Sequence, residues 1–478
     1  MPFRAATYAA RAIFFTKEHR MSSYQSINPA TNQLLKTWPS HNEEYVASAL
    51  DTAHKLFKSS WSKGDIQPRL QVLKKMADLI DSRAEELAQV ASKEMGKLIA
   101  QSRGEVKICS QIARYYAEHA ERFLQPVSYP SELGEAWIEH HPIGVLVAVE
   151  PWNFPYYQLM RVLAPNLAAG NPVLAKHAAN VPHCATLFEE LVREAGAPEG
   201  VWTNLFVSNE QIADLIADDR VQGAALTGSE RAGSAVAQQA GKYLKKTTLE
   251  LGGNDVFVVL DDADLDEAVR QGVQARLSNA GQVCTAAKRF ILHEKIADRF
   301  ISQMRDAFEK SVIGDPLDEK TTLGPLSSAD ARDRLAKQVD DAVANGAKVV
   351  SGGSVVQGEG CYYQPTILTD ITRDNPAYFE EFFGPVAQMY VVSSDEEAVM
   401  LANDSHYGLG GAVFTADTSR GRKLASAIET GMVFINSQSD TSAELPFGGV
   451  KRSGYGRELS DLGIKEFVNQ KLVVIAGK

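Results

Sequence analysis

Ile143-Gly144-Val145-Leu146-Val147-Ala148-Val149-Glu150-Pro151-Trp152-Asn153-Phe154-Pro155 is the stretch on which the fold turns. Val145 to Val149 is unbroken apolar sequence, as in a buried strand, and two prolines fix the loop that follows. The pattern recurs downstream. Asn171-Pro172-Val173-Leu174-Ala175-Lys176 reads as a second strand, and residues 182–195 as a helix stopped by Gly196-Ala197-Pro198. Residues 201–207 and 221–227 are further strands, each followed by helical sequence. This alternation predicts a parallel sheet with helices on both faces, the usual frame for a dinucleotide.

Working outward, residues 43–60 and 68–95 space their apolar residues by three and four and read as long helices. Residues 129–148 switch to strand-like segments with Gly134 as a turn point. A second α/β stretch begins near Asn254 and runs to about Asn436. The chain has 478 residues, 44% hydrophobic and 23% charged, an ordinary soluble composition with room for two or three domains. Its net charge of −11 argues against nucleic acid as a partner, and no apolar run is long enough for a membrane helix. Four scattered cysteines without a CxxC pair point to a reducing compartment, the cytoplasm rather than the mitochondrial matrix. Residues 1–20 carry four basic residues against Glu18 and read as an extended or disordered tail before Met21-Ser22-Ser23.

Two features imitate metal sites. Asp262-Ala263-Asp264-Leu265-Asp266 starts like a calcium loop, but Glu267 stands where glycine is needed, so it reads as a helix N-terminus. His140-His141 lacks partners at ligand spacing and reads as loop. No metal is expected.

Cys284, in Asn279-Ala280-Gly281-Gln282-Val283-Cys284, and Glu250, in Glu250-Leu251-Gly252-Gly253, suit covalent acyl chemistry. A thiolate attacks a carbonyl carbon, and a carboxylate activates the water that releases the acyl group. Asn153 in its Pro-bounded loop offers an NH2 donor for a developing oxyanion. Taken singly, Cys284 reads more readily as a small core residue, and Asn153 equally as a turn former.

In their order, Pro151 to Pro155, Glu250 to Gly253, Gly281 to Cys284, Glu381-Phe382-Phe383-Gly384-Pro385 and the run from Pro446 to Glu458 resemble the NAD(P)-dependent aldehyde dehydrogenase superfamily from about residue 27 onward. The resemblance implies a Rossmann-like cofactor domain over residues 21–124 and 141–253 and an α/β catalytic domain over 254–436. It also implies a small β oligomerisation element over 125–140, with 437–478 as that element and the C-terminal segment, in a homodimer or homotetramer. It makes Cys284 the nucleophile, Glu250 the base and Asn153 the oxyanion donor.

NAD or NADP would be held by Trp152, Lys176, Gly228, Ser229, Gly233, Gly252, Glu381 and Phe383. Thr227-Gly228-Ser229-Glu230-Arg231-Ala232-Gly233 supplies a helix N-terminus for the pyrophosphate. Ala179 stands where NAD-preferring members carry an acid, so a 2′-phosphate meets no repulsion there.

For substrate, Arg161 falls six residues after Pro155, where succinic semialdehyde dehydrogenases carry an arginine for the distal carboxylate. Their second arginine, six before the nucleophile, is here Ser278; Arg276, eight before, reads either as a substitute or as a structural salt-bridge residue, and Thr441 or Ser442 as a source of a hydroxyl for the same carboxylate. The pattern resembles the bacterial succinate-semialdehyde branch. Other aliphatic or aromatic aldehydes, and a catalytically silent relative, are the alternatives.

Overall fold

The computed structural model describes residues 24–477, so the expected tail over residues 1–20 lies outside the described residues. Its first large sheet has six strands in the order Gly454–Tyr455, Lys246–Glu250, Val221–Thr227, Val145–Glu150, Val173–His177, Trp202–Asn204. The last five are mutually parallel, and Gly454–Tyr455 is an antiparallel edge. Chain order reverses between Val145–Glu150 and Val221–Thr227. A crevice at the carboxyl ends of these two strands is where such sheets bind ligands.

The two faces divide the strand residues by parity. Leu146, Ala148 and Ala225 pack with the helices of residues 67–123 and with Pro155–Ala169. Val145, Val147, Leu226 and Leu249 pack on the opposite face with helices Glu43–Lys58 and Asn209–Ala217. Every residue of Pro155–Ala169 is buried, as for a helix enclosed on all sides. It starts with Pro155 and ends at Gly170, whose φ of 98° suits a glycine cap.

The second sheet has seven strands in the order Lys348–Ser351, Thr366–Thr369, Val386–Val392, Arg289–His293, Val256–Val259, Gly411–Phe414, Phe434–Ile435. Only Lys348–Ser351 is antiparallel. Phe257 anchors its core, with its ring 4.5 Å from Phe414 and 5.1 Å from Phe290. Removing such a ring costs about 3–5 kcal/mol.

A third sheet joins Val468–Ala476, Gly134–Pro142 and Val127–Tyr129. This corrects one expectation: His140 and His141 lie in strand Gly134–Pro142, not in a loop, paired with Gln470 and Asn469. The helical pattern over 68–95 is two helices, Gln67–Ser82 and Ala84–Met95, broken at Arg83. Asp264 caps helix Leu265–Leu277 by accepting from Glu267 N, so the acidic run is a helix start. Among the described residues no His, Cys, Asp and Glu cluster could hold a metal ion, and no helix is long and apolar enough to cross a membrane.

Candidate active site

The Asn153 loop is fixed from below. Glu105, on helix Ile99–Phe123, accepts from Tyr156 N at 2.8 Å and Tyr157 N at 3.1 Å, satisfying free amides at the start of Pro155–Ala169. Lys97 pairs with Glu105 in full burial and covers the Phe154 ring. Asn153 donates through Nδ2 to Gln282 O at 3.1 Å. One Nδ2 hydrogen is thereby used, and the other is available to an oxyanion.

The turn before Cys284 is built under strain. Asn279, Ala280 and Gly281 have consecutive positive φ values of 51°, 52° and 75°. A non-glycine residue held there costs on the order of 1–3 kcal/mol and persists only when its surroundings enforce it. Enforcement comes from several sides. Asn279 donates through Nδ2 to Asn153 O at 2.9 Å, and its backbone N–H donates to Gln101 Oε1 at 3.0 Å. Gln282 donates to Asn279 O and accepts from Ser327 N. A Cβ on Gly281 would lie 2.2 Å from Gly384 O, so glycine is required for the close approach as well as for φ.

Two residues that sequence reasoning missed lie at the same turn. Lys288 is buried, donates to Val283 O at 2.8 Å and to Cys284 O, and pairs with Glu381 Oε1 at 3.0 Å. Asp255 is buried beside it, with its carboxyl pushed up to about 7 by burial. Their signal was two charged residues next to apolar strand sequence, which a pattern search passes over.

Arg276 is a correction. It is fully buried and donates to Gly281 O at 2.6 Å and Ala287 O at 3.0 Å, so it braces the nucleophile turn and offers nothing to a substrate. A guanidinium with carbonyl partners and no carboxylate is pushed down by burial to about 9.

Cys284 is half-buried, unlike Cys109, Cys184 and Cys361, which are buried. Loss of hydration pushes its thiol up to about 12, against the opposing pull of Lys288 and Arg161. Gly253 touches the turn: a Cβ there would meet Cys284 O at 2.5 Å. Glu250 ends the neighbouring strand, buried, with neither carboxyl oxygen hydrogen-bonded. Burial and the nearby Glu458 raise its carboxyl well above the usual range.

The late run from Pro446 to Glu458 clamps this strand. Gly454 and Tyr455 pair with Glu250 and Leu249, Leu251 N donates to Ser453 O, and a Cβ on Gly448 would lie 2.7 Å from Glu250 Oε1.

Around the crevice, Ser229 caps helix Glu230–Lys242 and accepts from Ala232 N at 3.3 Å, with Gly228 just before it. A Cβ on Gly233 would meet the Leu251 side chain at 2.5 Å, which explains that glycine by packing. Gly252 lets Glu381 approach, and Gly253 N donates to Glu381 Oε1 at 3.1 Å. Trp152 and Phe383 meet edge to face, ring centres 5.8 Å apart. Lys176 makes no ion pair among the described residues and lies 5.8 Å from the Tyr24 ring centre, while Ala179 is exposed and accepts from Gln25 N.

A profile of the Aldehyde dehydrogenase family matches residues 15–473. The chain belongs to the aldehyde dehydrogenase family. This family member is 47% identical over 450 residues to a succinate-semialdehyde dehydrogenase [NADP(+)] of Deinococcus radiodurans, 94% of each chain being covered. It is 43% identical to an Escherichia coli succinate semialdehyde dehydrogenase [NAD(P)+], with 94% of this chain and 97% of that one covered. Among solved structures, the succinic semialdehyde dehydrogenase of Streptococcus pyogenes in complex with NADP+ matches with a TM-score of 0.94 at 48% identity, over 95% of this chain and all of that one.

Arg161, expected to meet the distal carboxylate of a substrate, already has a carboxylate partner within the chain. It is not a free cation: its Nε lies 2.6 Å from Glu458 Oε2, its Nη2 donates to Thr227 Oγ1 at 3.2 Å, and its side chain is 1% exposed. The guanidinium is stacked between the rings of Tyr157 and Phe447, at 4.8 and 4.6 Å. Thr441 bonds to one of these rings, Tyr157 OH and Thr441 Oγ1 being 2.7 Å apart. Ser442 Oγ is buried without a partner.

Proposed function

We propose that this enzyme oxidises succinate semialdehyde to succinate with NAD+ or NADP+. One observation carries the reading: the Asn153 loop, the Cys284 turn and the Glu250 strand, from separate parts of the chain, interlock through Asn279, Gly253 and Gln282. The substrate is argued from the relatives, 43–48% identical and named for succinate semialdehyde, and from the buried cation Arg161 beside the Tyr157–Thr441 pair.

The cofactor residues fit a dinucleotide. Gly228 and Ser229 leave a helix N-terminus at the crevice, and Trp152, Phe383 and Glu381 converge near Gly252. NAD(P)+ bound there supplies the hydride acceptor. Cys284, as the thiolate, attacks the aldehyde carbon while the Asn153 amide and the Cys284 N–H hold the oxyanion, and loss of the aldehyde hydrogen as hydride from this adduct leaves a thioester on Cys284. Glu250 then takes a proton from the water that hydrolyses the thioester, giving the acid and the free thiol. The exposed Ala179 sets no carboxylate against a 2′-phosphate, in keeping with the NADP(+) names of the relatives.

The third sheet exposes Val127, Tyr129, Leu472 and Val474 on one face, an apolar surface that suits a second copy of the chain and supports a homo-oligomer. A reducing, cytoplasmic setting fits four free cysteines. Appearance of reduced cofactor from succinate semialdehyde, lost in Cys284→Ala, tests the activity. An unchanged rate in that variant would remove the mechanism.

A further inference from the structure

Gln101 has no part in the chemistry proposed above, yet it reaches the nucleophile turn from a distant part of the chain. It stands in the first turn of helix Ile99–Phe123, half-buried, and its Oε1 accepts from Asn279 N at 3.0 Å. Asn279 is the first of the three residues with positive φ that lead to Cys284, just after helix Leu265–Leu277 ends. It is buried, so its N–H without a partner would carry the full cost of lost hydration.

Four residues further along the same helix is Glu105, whose Oε1 accepts from Tyr156 N and Tyr157 N just beyond Asn153. Residues four apart share a helix face, with Cβ atoms about 6 Å apart. One face of one helix thus grips both halves of the site, the nucleophile turn through Gln101 and the oxyanion loop through Glu105. The face is itself fixed. Ile99 N, a free amide of the first turn, donates to Pro316 O at 2.8 Å. The buried hydroxyls of Ser92 and Ser102 meet at 2.9 Å, and Lys97 pairs with Glu105 and lies 3.6 Å from the Phe154 ring centre. Asn279 also aims its Nδ2 at Asn153 O, at 2.9 Å, and that direction follows from the backbone that Gln101 holds.

We propose that Gln101 is a positioning residue for the reaction: it holds the Asn279 backbone in its left-handed conformation and so keeps the Cys284 thiol aligned with the Asn153 amide, without touching substrate or cofactor. Supporting bonds of this kind set the geometry of the groups that do touch substrate. The inference rests on Cys284 as nucleophile and Asn153 as oxyanion donor.

The test is the single-turnover rate of NADPH formation from succinate semialdehyde or butanal, whichever the wild type oxidises faster. That rate reads thiol attack and hydride loss apart from product release. The variants are Gln101→Met, Gln101→Glu, Asn153→Ala and the double variant Gln101→Met/Asn153→Ala, each checked by thermal unfolding and by NADP+ affinity. Met has the same length without an acceptor and should slow the saturated rate about tenfold, with half-saturating aldehyde and NADP+ affinity within about twofold of wild type. A Glu carboxylate still accepts from an N–H and should restore most of the rate. Alignment counts only while the donor is present, so Gln101→Met should cost little further in Asn153→Ala. A wild-type rate in Gln101→Met, a loss that Glu leaves uncorrected, or a loss that multiplies with that of Asn153→Ala overturns the proposal. Where Gln101→Met does not fold, Gln101→Ala removes the same acceptor without adding bulk and is read against the same outcomes. A wild-type rate in Asn153→Ala would instead overturn the oxyanion assignment itself.

Discussion

Arg161 and Glu458 form a buried ion pair, Nε to Oε2 at 2.6 Å, with side chains 1% and 8% exposed. Breaking such a pair from one side leaves an uncompensated buried charge and is expected to destabilise by about 3–5 kcal/mol. Arg161→Leu should therefore lower the melting temperature sharply, and adding Glu458→Gln should restore much of the loss. Thermal unfolding of the single and double variants checks this. Equal unfolding temperatures for wild type and Arg161→Leu would mean the pair contributes nothing. The consequence for function is that a substrate carboxylate must share Arg161 with Glu458.

Glu250 should fail as a base at a higher pH than an ordinary carboxylate. Its pKa is raised by burial and by Glu458, and only the ionised form accepts a proton from water. Thioester hydrolysis should therefore decline as pH falls through that raised value. Glu250→Gln should leave an acyl-enzyme on Cys284, visible as added mass after a single turnover. A rate flat down to the ordinary carboxylate range would contradict this.

The thiol of the cofactor-free enzyme should be slow to alkylate at neutral pH. Burial pushes Cys284 up to about 12, so little thiolate is present and the rate should keep climbing with pH beyond the ordinary thiol range. A plateau near an unperturbed value of about 8.5 would show that Lys288 and Arg161 fully offset burial.

Asn279 joins the loop of the oxyanion donor to the turn of the nucleophile. Asn279→Gly keeps the left-handed backbone but removes that bond. The account predicts a fall in kcat about as large as that of Asn153→Ala, roughly 10²–10³-fold, with little further loss when the two are combined. Independent, multiplicative effects would show that Asn279 does not act through Asn153.

How much of this was legible in the sequence depended on how local each cause is. The strands around Val145 to Glu150 and Val221 to Thr227 were, because a buried parallel strand is a continuous apolar run. The break at Arg83 was not, since apolar spacing continues across it from Leu79 to Leu87. His140 and His141 join a strand only because Val468–Ala476, from the far end of the chain, pairs beside them. The same distance hid the partner of Arg161: its offset from Pro155 marked it for a substrate carboxylate, whereas Glu458 arrives from the end of the chain. Arg276 was assigned by closeness in sequence to Cys284, and burial turned it into a brace.

Cofactor choice should be relaxed. Ala179→Glu places a carboxylate at an exposed position that the family resemblance puts beside the adenosine ribose, and should depress use of NADP+ far more than NAD+. Equal loss with both cofactors would mean that residue 179 faces away from the ribose.

The central claim is oxidation of an aldehyde that carries a distal carboxylate, and comparing wild-type kcat/KM for succinate semialdehyde and butanal tests it most directly. A charge-assisted contact to Arg161 contributes on the order of 1.5–3 kcal/mol, so the semialdehyde should be preferred by roughly ten- to hundredfold. Equal values for the two aldehydes would contradict the semialdehyde assignment and leave a general aldehyde dehydrogenase.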